Sequence, residues 1–94
     1  MNIDELREQL LNGTYYNYGY GWRVKLDIVE ILTGVLGTSD FMSIRLVGGG
    51  YVDVLSENIK PVRRPGNIIA KFKWCYLLKN KDGECIGYIG EKEE

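Results

Sequence analysis

The first residues of the chain place apolar side chains at helical spacing. Their separations of three, four and one positions put them on one stripe of an α-helix. These residues are Ile3, Leu6, Leu10 and Leu11. Asn2 stands where a helix N-cap is expected, and the pair Asn12-Gly13 is typical of a helix end because glycine adopts the left-handed conformation. The pattern predicts one amphipathic helix over residues 2–12.

After the helix, apolar and polar residues alternate, which is the pattern of a β-strand. The alternation runs over residues 16–28. Two glycines in its first half favour a bend, so we expect the regular strand over 22–28. Two further strand patterns, 41–47 and 51–55, flank a triple glycine that predicts a hairpin. The polar residues 56–58 favour a turn.

The last third of the chain predicts a long hairpin over residues 68–89. Its turn, residues 80–83, reads Asn-Lys-Asp-Gly and has glycine at the left-handed position of a type I turn with a bulge. If Asn80 pairs with Glu84, one face is apolar and the other is largely cationic, with Cys75 on the cationic, exposed face. The predicted pairs are Tyr76 with Tyr88, Leu78 with Ile86, Cys75 with Ile89, and Cys85 with Lys79. Since this register separates the two cysteines beyond bonding distance, we expect two free thiols.

These elements predict an α+β fold that is mainly antiparallel β. We expect a single domain over residues 1–94, because the chain has the length of one small core. The N-terminal helix precedes a strongly curled sheet or small barrel over 15–62, and the whole sheet has about five to six strands. The hairpin 68–89 extends it, and residues 90–94 form an acidic tail.

The composition excludes several classes of function. The chain has no histidine, which removes Ser-His and Cys-His nucleophilic sites and histidine-ligated metals. Two cysteines are too few for a tetrahedral cysteine metal site. We therefore expect no enzyme activity, no cofactor and no metal. An acidic start without a secretory signal, and no apolar run near the ~20 residues that span a bilayer, lead us to expect a cytoplasmic protein without a membrane partner.

The segment YYNYGYGW, residues 15–22, has the most unusual composition in the chain. Tyrosine offers a large apolar area, a hydroxyl and few rotatable bonds, and its mixtures with glycine and asparagine are typical of binding loops. The same rings could instead fill the core or cover the open end of a small barrel. We expect Tyr15 and Tyr16 to lie in solvent beside the helix end. The predicted protein-binding residues are Tyr15, Tyr16, Tyr18 and Tyr20.

Residues 58–81 contain seven cations and no acid, although the net charge of the whole chain is -1. Such a segment could neutralise the phosphates of a nucleic acid. It could equally keep an exposed strand soluble and prevent edge-to-edge aggregation. The candidate nucleic-acid-binding residues are Lys60, Arg63, Arg64, Lys71 and Lys73.

Residues 22–62 resemble the small β-barrels of the Src-homology-3-like kind. The features that carry the resemblance are a first strand at 23–26, a bent second strand at 33–36, the glycine hairpin at 48–50 and a short helical turn at 57–62 into a last strand. The stretch 40–46 also resembles the Sm-type RNA-binding barrels. There Ser43 stands where that family has asparagine, and the later arginine-glycine motif is missing. The resemblance therefore implies a barrel-like fold but not the Sm-type RNA pocket.

The leading hypothesis is a non-enzymatic binding module that recognises a protein partner, with the basic hairpin steering an acidic partner. A compact, histidine-free, tyrosine-rich domain is similar in type to phage-encoded inhibitors of host proteins, such as anti-CRISPR proteins. Two alternatives stay open. One is binding of RNA or single-stranded DNA through residues 58–81. The other is a homo-oligomeric structural protein joined by the free edge of the hairpin.

Overall fold

A computed structural model describes residues 2–17, 25–34, 40–62 and 72–93. The described chain contains one α-helix, one 3₁₀-helix and seven strands. The elements are α1 (Ile3–Leu11), β1 (Thr14–Asn17), β2 (Lys25–Thr33), β3 (Phe41–Leu46), β4 (Tyr51–Leu55), a 3₁₀-helix (Ser56–Asn58), β5 (Ile59–Pro61), β6 (Phe72–Lys79) and β7 (Cys85–Lys92). The α+β class with an N-terminal helix is confirmed.

The predicted helix is confirmed together with its N-cap. The Asn2 side chain accepts a 2.8 Å hydrogen bond from the Glu5 amide, which satisfies one of the free N–H groups of the first turn. The expectation that Gly13 is left-handed is wrong, because no positive φ occurs there. Glycine is needed for close approach instead, since a Cβ at this position would lie 2.6 Å from side-chain atoms of Ile89 and Trp74.

The strands form one seven-stranded antiparallel sheet in the order β4-β3-β2-β1-β7-β6-β5. The predicted five to six strands were too few, and no described strand pairs β4 with β5 to close a barrel. Only the three residues of the 3₁₀-helix join these two edge strands. Seven flat strands would span about 29 Å at ~4.8 Å per gap, whereas three linking residues reach about 14 Å. The sheet must therefore curl.

The concave side of the curled sheet holds the main core, which α1 covers. Ten buried residues form it, including Leu10 from the helix and Met42, Ile44 and Ile89 from the strands. The helix is also held by polar contacts. Arg7 Nε donates to the Ile31 carbonyl at 2.8 Å, and the Tyr76 hydroxyl donates to Gln9 Oε1 at 2.6 Å.

A second, smaller core lies on the opposite face of the sheet. Tyr16 stacks on Tyr88 with ring centroids 4.8 Å apart, and Phe72 contacts both rings edge-on. Cys75 is buried beside them at 5 % exposure. The expectation that Cys75 lies on an exposed face is wrong, because this aromatic cluster covers that face. Both cysteines are free thiols, as predicted.

The predicted hairpin is confirmed, but its second strand continues to Lys92, so most of the acidic tail expected at 90–94 belongs to β7. β-Bulges also change its register. The turn has the expected geometry, with φ +82° at Gly83 and the Asn80 amide donating to the Glu84 carbonyl at 2.9 Å. Lys79 faces Cys85 as predicted, but Ile86 is an extra residue on β7. The other three predicted pairs are therefore wrong by one position. The observed pairs are Cys75 with Gly90, Tyr76 with Ile89, Leu77 with Tyr88, and Leu78 with Gly87.

A second bulge, at Lys73, explains how the aromatic residues of β6 divide between the two cores. Phe72 pairs with Lys92 and Trp74 pairs with Glu91, so Lys73 is the extra residue. Strict alternation would put Phe72 and Trp74 on one face. The bulge moves Phe72 to the smaller core, while Trp74 packs against the main one.

The long alternation over residues 16–28 does not form one strand. Its first residues belong to β1, which begins at Thr14, and its last belong to β2, which continues to Thr33. The predicted strand 22–28 therefore ends too early, and residues 22–24 lie outside the described chain. The strands predicted at 41–47 and 51–55, their glycine hairpin and the turn at 56–58 are confirmed.

Candidate protein-docking surface

The tyrosines predicted to contact a partner divide into two groups. Tyr15 and Tyr16 are 4 % and 5 % exposed, so the expectation that they lie in solvent is wrong. Tyr18 and Tyr20 lie outside the described residues. Burial raises the pKa of Tyr15, and it is also the main cause of a raised pKa at Tyr16. Within the described chain, the tyrosine segment contributes core rather than contact surface.

The position of β1 explains why both rings are buried. This strand lies between β2 and β7 and is the middle strand of the seven, so it is far from both edges of the sheet. Tyr15 points into the main core, where its hydroxyl donates to the Ile86 carbonyl at 3.0 Å. Its ring lies against Gly87, where a Cβ would be only 2.6 Å from the ring. Tyr16 points to the opposite face and joins the smaller core.

Of the five predicted nucleic-acid-binding residues, the structure describes Lys60 and Lys73. Lys60 is exposed on β5, and Arg63, Arg64 and Lys71 lie outside the described residues. Lys73 is exposed, but its Nζ lies 3.4 Å from Glu91 Oε1. Trp74 Nε1 donates to the other oxygen of the same carboxylate at 2.9 Å. Glu91 of β7 thus partly neutralises the cationic face of β6. The sequence did not predict this ion pair, because Glu91 lies outside the acid-free interval 58–81.

The two edge strands of the sheet differ in how well they resist pairing with another chain. Exposed sheet edges are normally protected by shortness, proline, lysine or a bulge. The β5 edge has three of these devices, since it is three residues long and contains Lys60 and Pro61. The β4 edge, Tyr51–Leu55, is five residues long, regular in register, and has neither lysine nor proline.

The phase of the β3–β4 ladder shows which backbone groups of β4 are free. The Leu46 amide donates to the Gly50 carbonyl, and the Ser56 amide donates to the Asp40 carbonyl. Antiparallel ladders alternate hydrogen-bonded and non-bonded pairs, so Val52 and Val54 direct their N–H and C=O groups toward β3. The groups of the intervening residues point away from the sheet. No described strand pairs with Tyr51, Asp53 or Leu55 on that side.

The side chains of the same three residues lie on the outer face of the sheet, opposite the main core. Tyr51 is 60 % exposed, and the Arg45 guanidinium lies 5.0 Å from the centre of its ring. The next row across the sheet contains Leu32, Ser43 and Asp53. We call the outer side of β2, β3 and β4 the outer face. It presents an aromatic ring and a carboxylate beside the free edge.

Ser43 lies at the centre of the outer face and is 1 % exposed. Its hydroxyl has no hydrogen-bond partner among the residues that the structure describes. Partly buried apolar side chains stand in its own row and in the row below it, namely Leu32, Phe41 and Leu55. These belong to neither core. The middle of the outer face is therefore apolar and excludes water.

A groove of about 600 Å³ opens on the other side of β4, at the mouth of the curled sheet. We call it the mouth groove. Its walls come from the start of β4, the ends of β1 and β3, and the starts of β2 and β7. The aliphatic side chains in it are Leu26, Leu46, Val52 and Ile86. Tyr51 and Asp53 also border it, although their side chains alternate to the outer face. The exposed Cys85 thiol lies at its rim.

A second cavity, of about 680 Å³, lies between α1, the 3₁₀-helix and β5. Ile3, Leu6 and Ile59 supply apolar walls, and Asp40 and Glu57 supply exposed carboxylates. Asn2 and Tyr76 also line it, but their side chains hydrogen-bond to Glu5 and Gln9 within the fold, and two exposed acids do not define a ligand. In the described parts of the chain, no group of acidic or cysteine side chains is arranged to hold a metal ion. The described helix is too short to cross a membrane.

The sequence did not identify β4 as an exposed edge, because strand order decides which strands are edges. The segment Tyr51–Leu55 was correctly predicted as a strand, but its neighbours could not be read from the pattern. One signal was present, since this strand pattern is free of lysine and proline. Comparisons of the chain with protein-family models, with curated proteins and with solved structures found no match.

Proposed function

We propose that the protein is a non-enzymatic binding module that docks a protein partner on the β4 edge and the outer face. The observation that carries this proposal is the edge itself, a regular five-residue strand that has no lysine, proline or bulge and whose free side no described strand pairs. Tyr51 adds an exposed aromatic side chain beside an arginine, and tyrosine and arginine are the residue types enriched at the energetic centres of protein interfaces.

This proposal keeps the leading hypothesis from the sequence but moves the contact residues. Tyr15 and Tyr16 stabilise the fold, and Tyr51 takes the role of the aromatic anchor. The partner's chemistry also changes, because the β4 edge presents the acidic Asp53, whereas the basic hairpin was expected to attract an acidic partner. An inhibitor of a host protein, of the phage-encoded type, remains one form that such a module can take.

The β4 edge also bears on the homo-oligomer alternative. The hairpin was expected to have a free edge, but both of its strands are paired on their outer sides, since β6 pairs with β5 and β7 pairs with β1. Full-length pairing of two β4 strands about a twofold axis would place Asp53 opposite Asp53, and like charges directly opposite are destabilising. A different protein is therefore favoured over a second copy.

The nucleic-acid alternative stays a prediction. Of its five residues, the described ones are Lys60, which stands alone on a short edge strand, and Lys73, which is paired with Glu91. The barrel resemblance stays a proposal as well. It is supported by the curl of the sheet and by the 3₁₀-helix that leads directly into β5.

The test is quantitative affinity capture from cells of the source organism with three versions of the protein. We expect a protein that wild type retains, that Lys92→Ser retains equally, and that Tyr51→Ser loses by at least about tenfold. Lys92 is the control because it is exposed at the end of β7, which three strands separate from β4. Equal recovery by all three, or nothing enriched above bare resin, would refute the proposal.

A further inference from the structure

We infer that the partner docks by strand addition. An extended segment of another protein pairs with β4, places apolar side chains in the mouth groove and presents a lysine or arginine to Asp53. This inference rests on the proposed function and specifies the partner's chemistry.

The free backbone groups of β4 can pair with an added strand. Tyr51, Asp53 and Leu55 each direct an N–H and a C=O away from β3, and no described strand uses them. An antiparallel segment can exchange two hydrogen bonds with each of these residues, about six in all. Main-chain pairing of this kind gives affinity without requiring a particular sequence, so side-chain contacts must set the specificity.

The two sides of β4 supply those contacts. Successive side chains of an added strand point to opposite faces. On one side they meet the mouth groove, whose volume of about 600 Å³ and apolar residues Leu26, Leu46 and Ile86 suit aliphatic or aromatic side chains. On the other side they extend the outer face beside Tyr51. The segment therefore needs apolar residues at every second position.

Charge fixes the remaining position. Asp53 is exposed, and its carboxylate lies on the outer face, on the same side of β4 as Tyr51. The nearest described cation on the outer face, Arg45, lies over the Tyr51 ring. A cationic side chain directly across from Asp53 forms a favourable cross-strand pair, whereas an acidic one is repelled. The same repulsion disfavours a second copy of this chain as the occupant.

The probe is a displayed library of random, cysteine-free peptides of about nine residues, selected against the wild-type protein. We expect enrichment of apolar residues at alternate positions with one lysine or arginine. The best peptide should lose at least about tenfold in affinity against Asp53→Pro, which removes an N–H that the fold does not use, and several-fold against Asp53→Asn. Unfolding midpoints check that both variants fold.

Chemistry on the peptide gives a control that does not depend on any variant folding. N-methylation at the alternate positions whose amides face β4 should abolish binding, whereas N-methylation at the intervening positions should not. A bound peptide should also slow the reaction of Cys85 with N-ethylmaleimide, because this exposed thiol lies at the rim of the mouth groove. Cys75 serves as the internal reference, since it is buried.

The outcomes separate the two proposals. If selected peptides require Tyr51 but bind Asp53→Pro normally and tolerate N-methylation in either phase, strand addition is wrong and the docking face stands. If the peptides ignore both Tyr51 and the edge, both proposals fail. A selection that enriches no peptide above background also overturns strand addition.

Discussion

Replacing Tyr15 by alanine should destabilise the protein strongly, although the sequence alone presents this residue as a contact residue. The side chain is 4 % exposed and packs in the main core against Gly87. Truncating a buried aromatic residue typically costs about 3–5 kcal/mol. A domain of 94 residues has a free energy of unfolding of about 5–14 kcal/mol at ~0.05–0.15 kcal/mol per residue. The variant should therefore lose at least about a fifth of its stability.

Two companion variants divide this effect into its parts. Tyr15→Phe removes only the hydroxyl and leaves the Ile86 carbonyl without its donor, which should cost about 1–2 kcal/mol. Tyr51→Ala alters a ring that is 60 % exposed, and surface changes of this kind usually stay within about 0.5 kcal/mol. The three variants should rank Tyr15→Ala, Tyr15→Phe and Tyr51→Ala from most to least destabilising.

Urea unfolding followed by tryptophan fluorescence measures the difference. With an m value of about 1 kcal/mol/M, a loss of about 4 kcal/mol lowers the midpoint by about 4 M, and a loss of 1 kcal/mol lowers it by about 1 M. Equal midpoints for wild type and Tyr15→Ala would contradict the burial of this ring. A loss at Tyr51→Ala as large as that at Tyr15→Ala would contradict the separation of core from docking surface.

Three further changes test other parts of the fold. Burial raises the pKa of Cys75 to about 11 from 9.0, so the stability that the neutral thiol contributes is present below pH ~9 and is lost as pH rises through ~11. Cys75→Val should therefore reduce the loss of melting temperature at alkaline pH. An unchanged alkaline loss would count against the raised pKa. Gly87→Ala, whose Cβ meets the Tyr15 ring, should cost about 1–3 kcal/mol, whereas Gly50→Ala, with its nearest atom 3.9 Å away, should cost much less; equal urea midpoints would refute this. Ser43→Ala removes a buried hydroxyl that has no partner among the described residues, so it should be neutral or stabilising by up to about 1 kcal/mol. A clearly lower melting temperature would show that the hydroxyl is satisfied.

Local signals in the sequence predicted much of the fold. The α1 stripe, the glycine hairpin before Tyr51 and the turn ending at Gly83 depend on residues close together in the chain, and each was predicted from its own segment. The alternation of apolar and polar residues also predicted an antiparallel sheet. These features need no knowledge of which strands become neighbours.

The remaining features depend on bulges and strand order, which no local pattern records. A single extra residue at Lys73 transfers Phe72 to the other face, and one at Ile86 shifts the hairpin register. Tyr16 resembles an exposed ring because asparagine and glycine surround it in sequence. It is buried because β1 became a central strand that is covered on both faces. The candidate docking edge was missed for the same reason, since an edge exists only relative to a complete sheet.

The central position of β1 has a consequence for how the chain reaches its fold. β1 lies between β2, which follows it closely, and β7, so the hydrogen bond from Tyr15 to Ile86 joins residues 71 positions apart. Long-range pairing of this kind raises contact order, which slows folding because a large loop must close before the contact is gained. During synthesis, Tyr15 and Tyr16 lack their β7 neighbours, although not those on β2, until residues 85–92 have been made. The tyrosine-rich segment is therefore most accessible to chaperones, or to aggregation, in the nascent chain.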